Sequence, residues 1–158
     1  LVTHPGDFDP EELIAEVCDE VRPGQGSDLR LERQHAGISG KIHLDRNILK
    51  NVLLNLLSNA IKYSKPHGRI LVRSEVRPGL LILDVEDNGI GIPEADQKHL
   101  FGRFFRAQNA VNIKGTGLGL NIVKRYLELM NGEIDFSSTE GDGTTFTVTI
   151  PVQHPDAT

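Results

Sequence analysis

From residue 45 to residue 64 runs the stretch that most restricts how this chain folds, a helix-length segment with one broad apolar face. Projected at about 100° per residue, Leu49, Leu53, Leu56, Leu57, Ala60 and Ile61 share one side. Asn51, Asn55, Ser58, Asn59 and Lys62 gather on the other. Asp45 is placed to cap the first turn, so the pattern predicts a helix over 46–64.

The flanking segments supply what such a face packs against. Ile70, Val72 and Val76 alternate as a strand, Arg77-Pro78-Gly79 turns, and residues 80–86 return as its partner. Upstream, Asp9-Pro10-Glu11-Glu12 opens a helix that carries Leu13, Val17 and Val21 until Pro23-Gly24 stops it. Leu29 and Leu31 alternate with charged residues in a half-buried strand, and residues 41–44 read as another. After a glycine-rich turn over 87–93 come a short helix over 94–100 and a long aperiodic stretch over 102–114. A loop of that length inside a domain is functional or mobile. A helix over 118–130 ends at Asn131-Gly132, and strands over 133–137 and 144–150 close the chain. The order predicts an α+β, two-layer sandwich, with a mixed, mostly antiparallel sheet and about three helices on one face.

The 158 residues suit one domain, expected over 9–152, with residues 1–8 a linker from an upstream domain and 153–158 a frayed tail. Trp is absent and aromatics are 5% of residues, so Leu, Ile and Val must fill the core. A first residue of Leu rather than Met suggests a piece of a longer protein. The single cysteine, Cys18, excludes an internal disulfide and favours a reducing compartment. A net charge of −5 argues against a nucleic-acid surface, and no apolar run is long enough to span a bilayer.

Four segments carry the chemistry. Asn55, Asn59 and Lys62 recur at helical spacing along one side of the long helix. A solvated face explains such a line, yet Asn is a poor helix former, and Glu, Lys and Arg fill solvated faces more naturally. An amide oxygen can ligate Mg²⁺, and a lysine one turn on can meet a phosphate. Asp87-Asn88-Gly89-Ile90-Gly91-Ile92-Pro93 follows a strand directly, and its carboxylate can accept a hydrogen bond from an exocyclic amine such as adenine's. An ordinary turn uses the same residues. Gly115-Thr116-Gly117-Leu118-Gly119-Leu120 leads into a helix N-terminus, an anion site by its N–H groups and dipole. Its spacing fits neither a dinucleotide fingerprint nor a Walker loop. Gly141-Asp142-Gly143-Thr144-Thr145-Phe146, alone, is a hairpin turn. The six histidines lack metal-ligand spacing.

In this order and at these intervals the four segments resemble the N, G1, G2 and G3 boxes of histidine kinase catalytic domains. Phe101-Gly102-Arg103-Phe104-Phe105-Arg106 is similar to the family's F box. The resemblance extends over residues 8–151. It implies the Bergerat fold shared with type II topoisomerases, Hsp90-type chaperones and mismatch-repair ATPases, with ATP held between helices under a flexible lid. By the same resemblance Asp87 reads adenine, helped by Gly91, with Gly89 and Ile92 in the same turn. Asn59 is the Mg²⁺-binding asparagine, Asn55 lies near the phosphates, Lys62 contacts phosphate, and Tyr63 flanks the nucleoside. Residues 102–114 form the lid, hinged by Gly115, Gly117 and Gly119, with Thr116, Leu118 and Leu120 beside the phosphates. Phe105 and Arg106 reach the nucleotide from the F box, and Thr145 is a minor neighbour of adenine. Phe101, Phe104 and Phe105 suit a core cluster as well as a lid anchor.

The function so implied is transfer of the γ-phosphoryl group of Mg·ATP to a histidine on a separate dimerisation domain of the same kinase, for onward passage to a response regulator. Asn55, Asn59 and Lys62 are the expected catalytic residues. The acceptor histidine has no counterpart here, since His4-Pro5-Gly6 is not helical. Cytoplasmic placement is expected, with no direct membrane contact, whether or not the parent is membrane-anchored. One alternative is an ATP-hydrolysing relative, but those carry a glutamate base where this chain has Asn55. The other is a degenerate domain that binds partners without nucleotide.

Overall fold

The long helix forms over Arg46–Lys62. Asp45 starts it: Oδ1 accepts the Ile48 N–H at 3.0 Å and Oδ2 the His4 N–H at 2.7 Å, so both oxygens of a buried carboxylate have backbone donors. The helix ends before residue 64 because Tyr63 departs from helical dihedrals and the Ser64 hydroxyl donates to the Ile61 carbonyl at 2.7 Å.

A computed structural model describes residues 2–24, 27–102 and 119–155. Along them the elements are β1 (Gly6–Phe8), α1 (Pro10–Val21), β2 (Arg30–Gly37), β3 (Ile42–Leu44), α2 (Arg46–Lys62), β4 (Arg69–Arg77), β5 (Leu80–Asp87), α3 (Glu94–Gln97), α4 (Leu120–Leu129), β6 (Glu133–Thr139) and β7 (Gly143–Pro151). Five strands make one mixed sheet in the order β2-β4-β5-β7-β6. Only β2 and β4 are parallel, and the chain between them includes α2, the long crossover that a parallel pair needs. The other pairs are antiparallel. Pro78 presets one dihedral and Gly79 takes φ +76° to close the β4–β5 turn.

Period-two alternation sorts the sheet into two faces. Ile70, Val72 and Val76, then Leu81, Leu83 and Val85, then Phe146, Val148 and Ile150, face the helices and are buried. They join Leu13, Val17 and Cys18 of α1, and Leu49, Leu53, Leu56 and Leu57 of α2, in one core. The other face carries ions and hydroxyls: Arg73 bridges Asp84 and Glu86, and Thr147 donates to Asp84 at 2.7 Å. This is the predicted two-layer arrangement. No helix among the described residues is long and apolar enough to cross a membrane.

Four local expectations change. Gly6–Phe8, expected in a linker, pairs antiparallel with β3 as β1, a contact that three residues without a pattern do not announce. Of the segment expected to fray, Gln153 accepts the His43 N–H at 2.7 Å and His154 Nε2 accepts the Gly79 N–H at 2.9 Å. The helix expected over 94–100 is regular only to Gln97. It continues in three-residue turns that place Leu100 in the core. α4 begins at Leu120 because its N-cap, Gly119, has φ +68°, outside helical space. At its end Asn131, at φ +59°, takes the left-handed cap position, and Gly132 N–H reaches the Leu127 carbonyl at 2.7 Å.

Candidate functional site

The site begins where β5 delivers Asp87 to the helix-facing side of the sheet, opposite Ile70 on β4 and Thr144 on β7. Asp87 Oδ1 accepts the Gly89 N–H at 2.9 Å, and the Thr144 backbone N–H bonds the same carboxyl. Burial nevertheless pushes its pKa up to about 6, helped by the charge of Glu86 and opposed by those two N–H groups. A carboxyl this costly to ionise keeps its proton to a higher pH than an ordinary aspartate, and its charged form gains from a ligand N–H donor.

The turn after Asp87 is wedged between α2 and the β6–β7 hairpin. Ile90 N–H donates to the Tyr63 carbonyl at 3.1 Å, where α2 ends, and a Cβ on Gly89 would meet that oxygen at 2.4 Å. Gly91 has φ +68°, and a Cβ there would stand 2.1 Å from the Thr139 carbonyl. On the hairpin side, Gly141 N–H donates to the Ile90 carbonyl at 2.8 Å, and Lys65 Nζ reaches the Gly141 carbonyl. Ile92 is buried, its N–H bonded to Ser138 Oγ at 2.8 Å. So Asp87, Gly89, Gly91, Ile92 and Tyr63, named from sequence, stand together.

The polar line of α2 forms the second wall. Asn59 is buried, only 8% exposed, which a merely solvated face does not explain. Asn55 is half-buried, its Nδ2 donating to the Asn51 carbonyl at 2.8 Å. Lys62 is exposed, with Nζ 5.9 Å from the Tyr63 ring centre. Gly119 and the buried Leu120 bring the start of α4 against this wall: a Cβ on Gly119 would lie 3.1 Å from Asn55 Oδ1. Phe101 stacks edge-on against Phe136 at 6.0 Å, and Phe136 meets Phe146 at 6.2 Å, so Phe101 belongs to the core edge.

Phe104, Phe105, Arg106, Gly115, Thr116, Gly117, Leu118 and the lid expected over 102–114, beyond Gly102, lie outside the described residues. Thr145 does not share the face of the sheet on which the Asp87 side chain stands. It pairs with Glu86 and stands on the opposite face, while the buried Thr144 takes the place beside Asp87. Sequence reasoning passed over Thr144; the signal was available in the alternation, since Phe146, an apolar residue two positions on, must share its face. Among the described residues no group of three or more His, Cys, Asp or Glu side chains is arranged to hold a metal.

Comparisons with known proteins bear on the family and the fold. The family model described as histidine kinase-, DNA gyrase B- and HSP90-like ATPase matches residues 44–154. The chain is 35% identical over 153 residues to the circadian input-output histidine kinase CikA of Thermosynechococcus vestitus, covering 94% of this chain and 21% of that protein. It is 41% identical over 114 residues to the sensor histidine kinase WalK of Bacillus subtilis, covering 70% of this chain and 19% of that protein. The chain thus spans about a fifth of the length of these curated relatives. Among solved structures, the mycobacterial sensor histidine kinase MprB superposes with TM-score 0.80 at 30% identity, covering 95% of this chain and all of that one. The nucleotide-free catalytic domain of the histidine kinase ThkA does so with TM-score 0.80 at 28% identity, covering 97% and 100% of the two chains.

Proposed function

We infer the function from a plain premise: the chain belongs to the histidine kinase-, DNA gyrase B- and HSP90-like ATPase family, and it is an ATP-binding catalytic domain of the histidine kinase type. Its role in the parent protein is then to present Mg·ATP to a histidine on a separate dimerisation domain, from which a response regulator receives the phosphoryl group. A cytoplasmic placement belongs to the same proposal, as does a connection to an upstream domain through residues 1–8, of which Gly6–Phe8 also pair with β3.

The observation that carries this reading is the Asp87 carboxyl, half-buried on the helix side of the sheet, at the mouth of a turn built against the end of α2. An adenine amine donates to it, and the ligand N–H offsets the burial that raises its pKa. Gly91 lets the turn pass tightly against the hairpin, and Tyr63 flanks the nucleoside. Toward the phosphates, Asn55 and Asn59 offer amide groups and Lys62 a mobile positive charge. The N-terminus of α4 adds its dipole, with Gly119 and Leu120 at its start.

The donor set suits a magnesium ion bound together with nucleotide. With no acidic cluster among the described residues, the amide oxygen of Asn59 complements oxygens that ATP itself supplies. A magnesium ion so held would offset charge on the phosphates. The residues contribute position and charge compensation, the main needs of phosphoryl transfer. Hydrolysis needs a base to deprotonate water, and the Asn55 amide cannot serve as one.

Calorimetry with Mg·ATP and Mg·GTP, followed by incubation with a dimerisation domain and γ-labelled ATP, tests the reading. The expected result is a preference for ATP, slow turnover by the chain alone, and acid-labile, alkali-stable label on the partner. Brisk hydrolysis by the purified chain, abolished by Asn59→Ala, would favour the hydrolase alternative.

A further inference from the structure

Behind Asp87 lies a set of hydrogen bonds that the reaction itself does not use. Gln97, on α3, donates through Nε2 to two carbonyls at once, Ile92 at 3.1 Å and Ser138 at 3.0 Å. Ser138 accepts the Ile92 N–H at 2.8 Å through its hydroxyl, which also donates to the Gly143 carbonyl at 3.1 Å and meets Thr144 Oγ1 at 2.8 Å. The valences close: one hydroxyl proton goes to Gly143, and two lone pairs receive Ile92 N–H and the Thr144 hydroxyl. At the far end, a Cβ on Gly143 would stand 2.0 Å from the Asp87 carbonyl, and the Thr144 backbone N–H bonds the Asp87 carboxyl. The set therefore runs from α3 through the turn and the hairpin to Asp87.

We propose that Gln97 and Ser138 are positioning residues for base recognition, clamping the turn that follows Asp87 to the strand that pairs with it. The proposal rests on the reading of Asp87 as the base-binding carboxylate. Both side chains act through the main chain that they hold. Each fixes the spacing between Ile92 and Thr144, and so the width of the slot that an adenine enters. The main-chain bond from the Gly141 N–H to the Ile90 carbonyl holds the turn two residues earlier, and Ile92 is tied to the hairpin through Ser138 and Gln97. Both partners of the clamp are half-buried, where a hydrogen bond competes little with water.

The test uses the 158-residue chain with Gln97→Leu and, separately, Ser138→Ala, each checked for a folded state by circular dichroism. Competition binding is measured for Mg·ATP, Mg·GTP and inorganic triphosphate. The proposal expects the preference for ATP over GTP to fall about tenfold in each variant, with triphosphate affinity unchanged. Ser138→Thr, which keeps the hydroxyl, should restore the preference. In the double variant Gln97→Leu with Asp87→Asn, the preference should fall no further than in Asp87→Asn alone. Equal losses for ATP and triphosphate, or an unchanged preference in whichever variant folds, overturns the clamp. If Asp87→Asn itself leaves the preference intact, it is the reading of Asp87 that fails.

Discussion

Gly119 stands so close to Asn55 that a Cβ on it would lie 3.1 Å from Asn55 Oδ1, at a residue whose φ is already +68°. One glycine thus starts α4 and brings it against the polar line of α2. Gly119→Ala forces a side chain into left-handed dihedrals, at about 1–2 kcal/mol of stability, and displaces Asn55. Urea unfolding should show that loss, and calorimetry a weaker affinity for ATP. A variant with wild-type stability and affinity would mean that the contact between α4 and α2 is slack.

Asp87 should trade stability for binding. Its folded pKa, about 6, lies above its ordinary 3.8, so folding takes up a proton between those values. The carboxyl's contribution is fully present below pH 3.8 and is lost as pH rises through about 6, a change of about 3 kcal/mol at most. Asp87→Asn keeps an acceptor for the Gly89 N–H without the buried charge. The variant should be more stable than the parent at pH 7.5 in the absence of nucleotide, yet bind ATP more weakly. In the parent, ATP affinity should drop as pH falls below about 6; a flat profile from pH 5 to 8 would contradict the raised pKa.

Asn59→Ala should remove the magnesium dependence of ATP binding while leaving the affinity for adenosine near that of the parent. The amide is buried on α2, so a stability loss of about 1 kcal/mol accompanies it. Titrations of ATP with magnesium and with a chelator separate the two effects. An undiminished response to magnesium would exclude Asn59 from the metal site.

Asp45 offers a contrast, because it lies at the opposite end of α2 from Asn59, about 20 Å away along the helix. Asp45→Ala leaves the Ile48 and His4 N–H groups without their carboxylate and should cost about 1–2 kcal/mol. ATP affinity should hold under conditions where the domain stays folded. A large loss of affinity at unchanged helicity would mean that the cap also sets the position of the site.

What the sequence determined is what neighbours along the chain decide among themselves. Asp9 and Asp45 cap, Pro78-Gly79 turns, and the apolar periods mark α1, α2 and the β4–β5 hairpin. Each depends on dihedral preference or on spacing within a few residues, so it is present before the chain folds. The tertiary structure decided the rest. It sent β1 to β3 and joined Gln97 to Ser138 behind Asp87. It also placed Thr144 rather than Thr145 beside Asp87. Strand side chains alternate with period two, so a register shift of one residue exchanges the faces, and that register is set by pairing between segments far apart in the chain. The alternation with Phe146 already gives Thr144 its face, but its pairing with Asp87 exists only once β5 and β7 lie side by side.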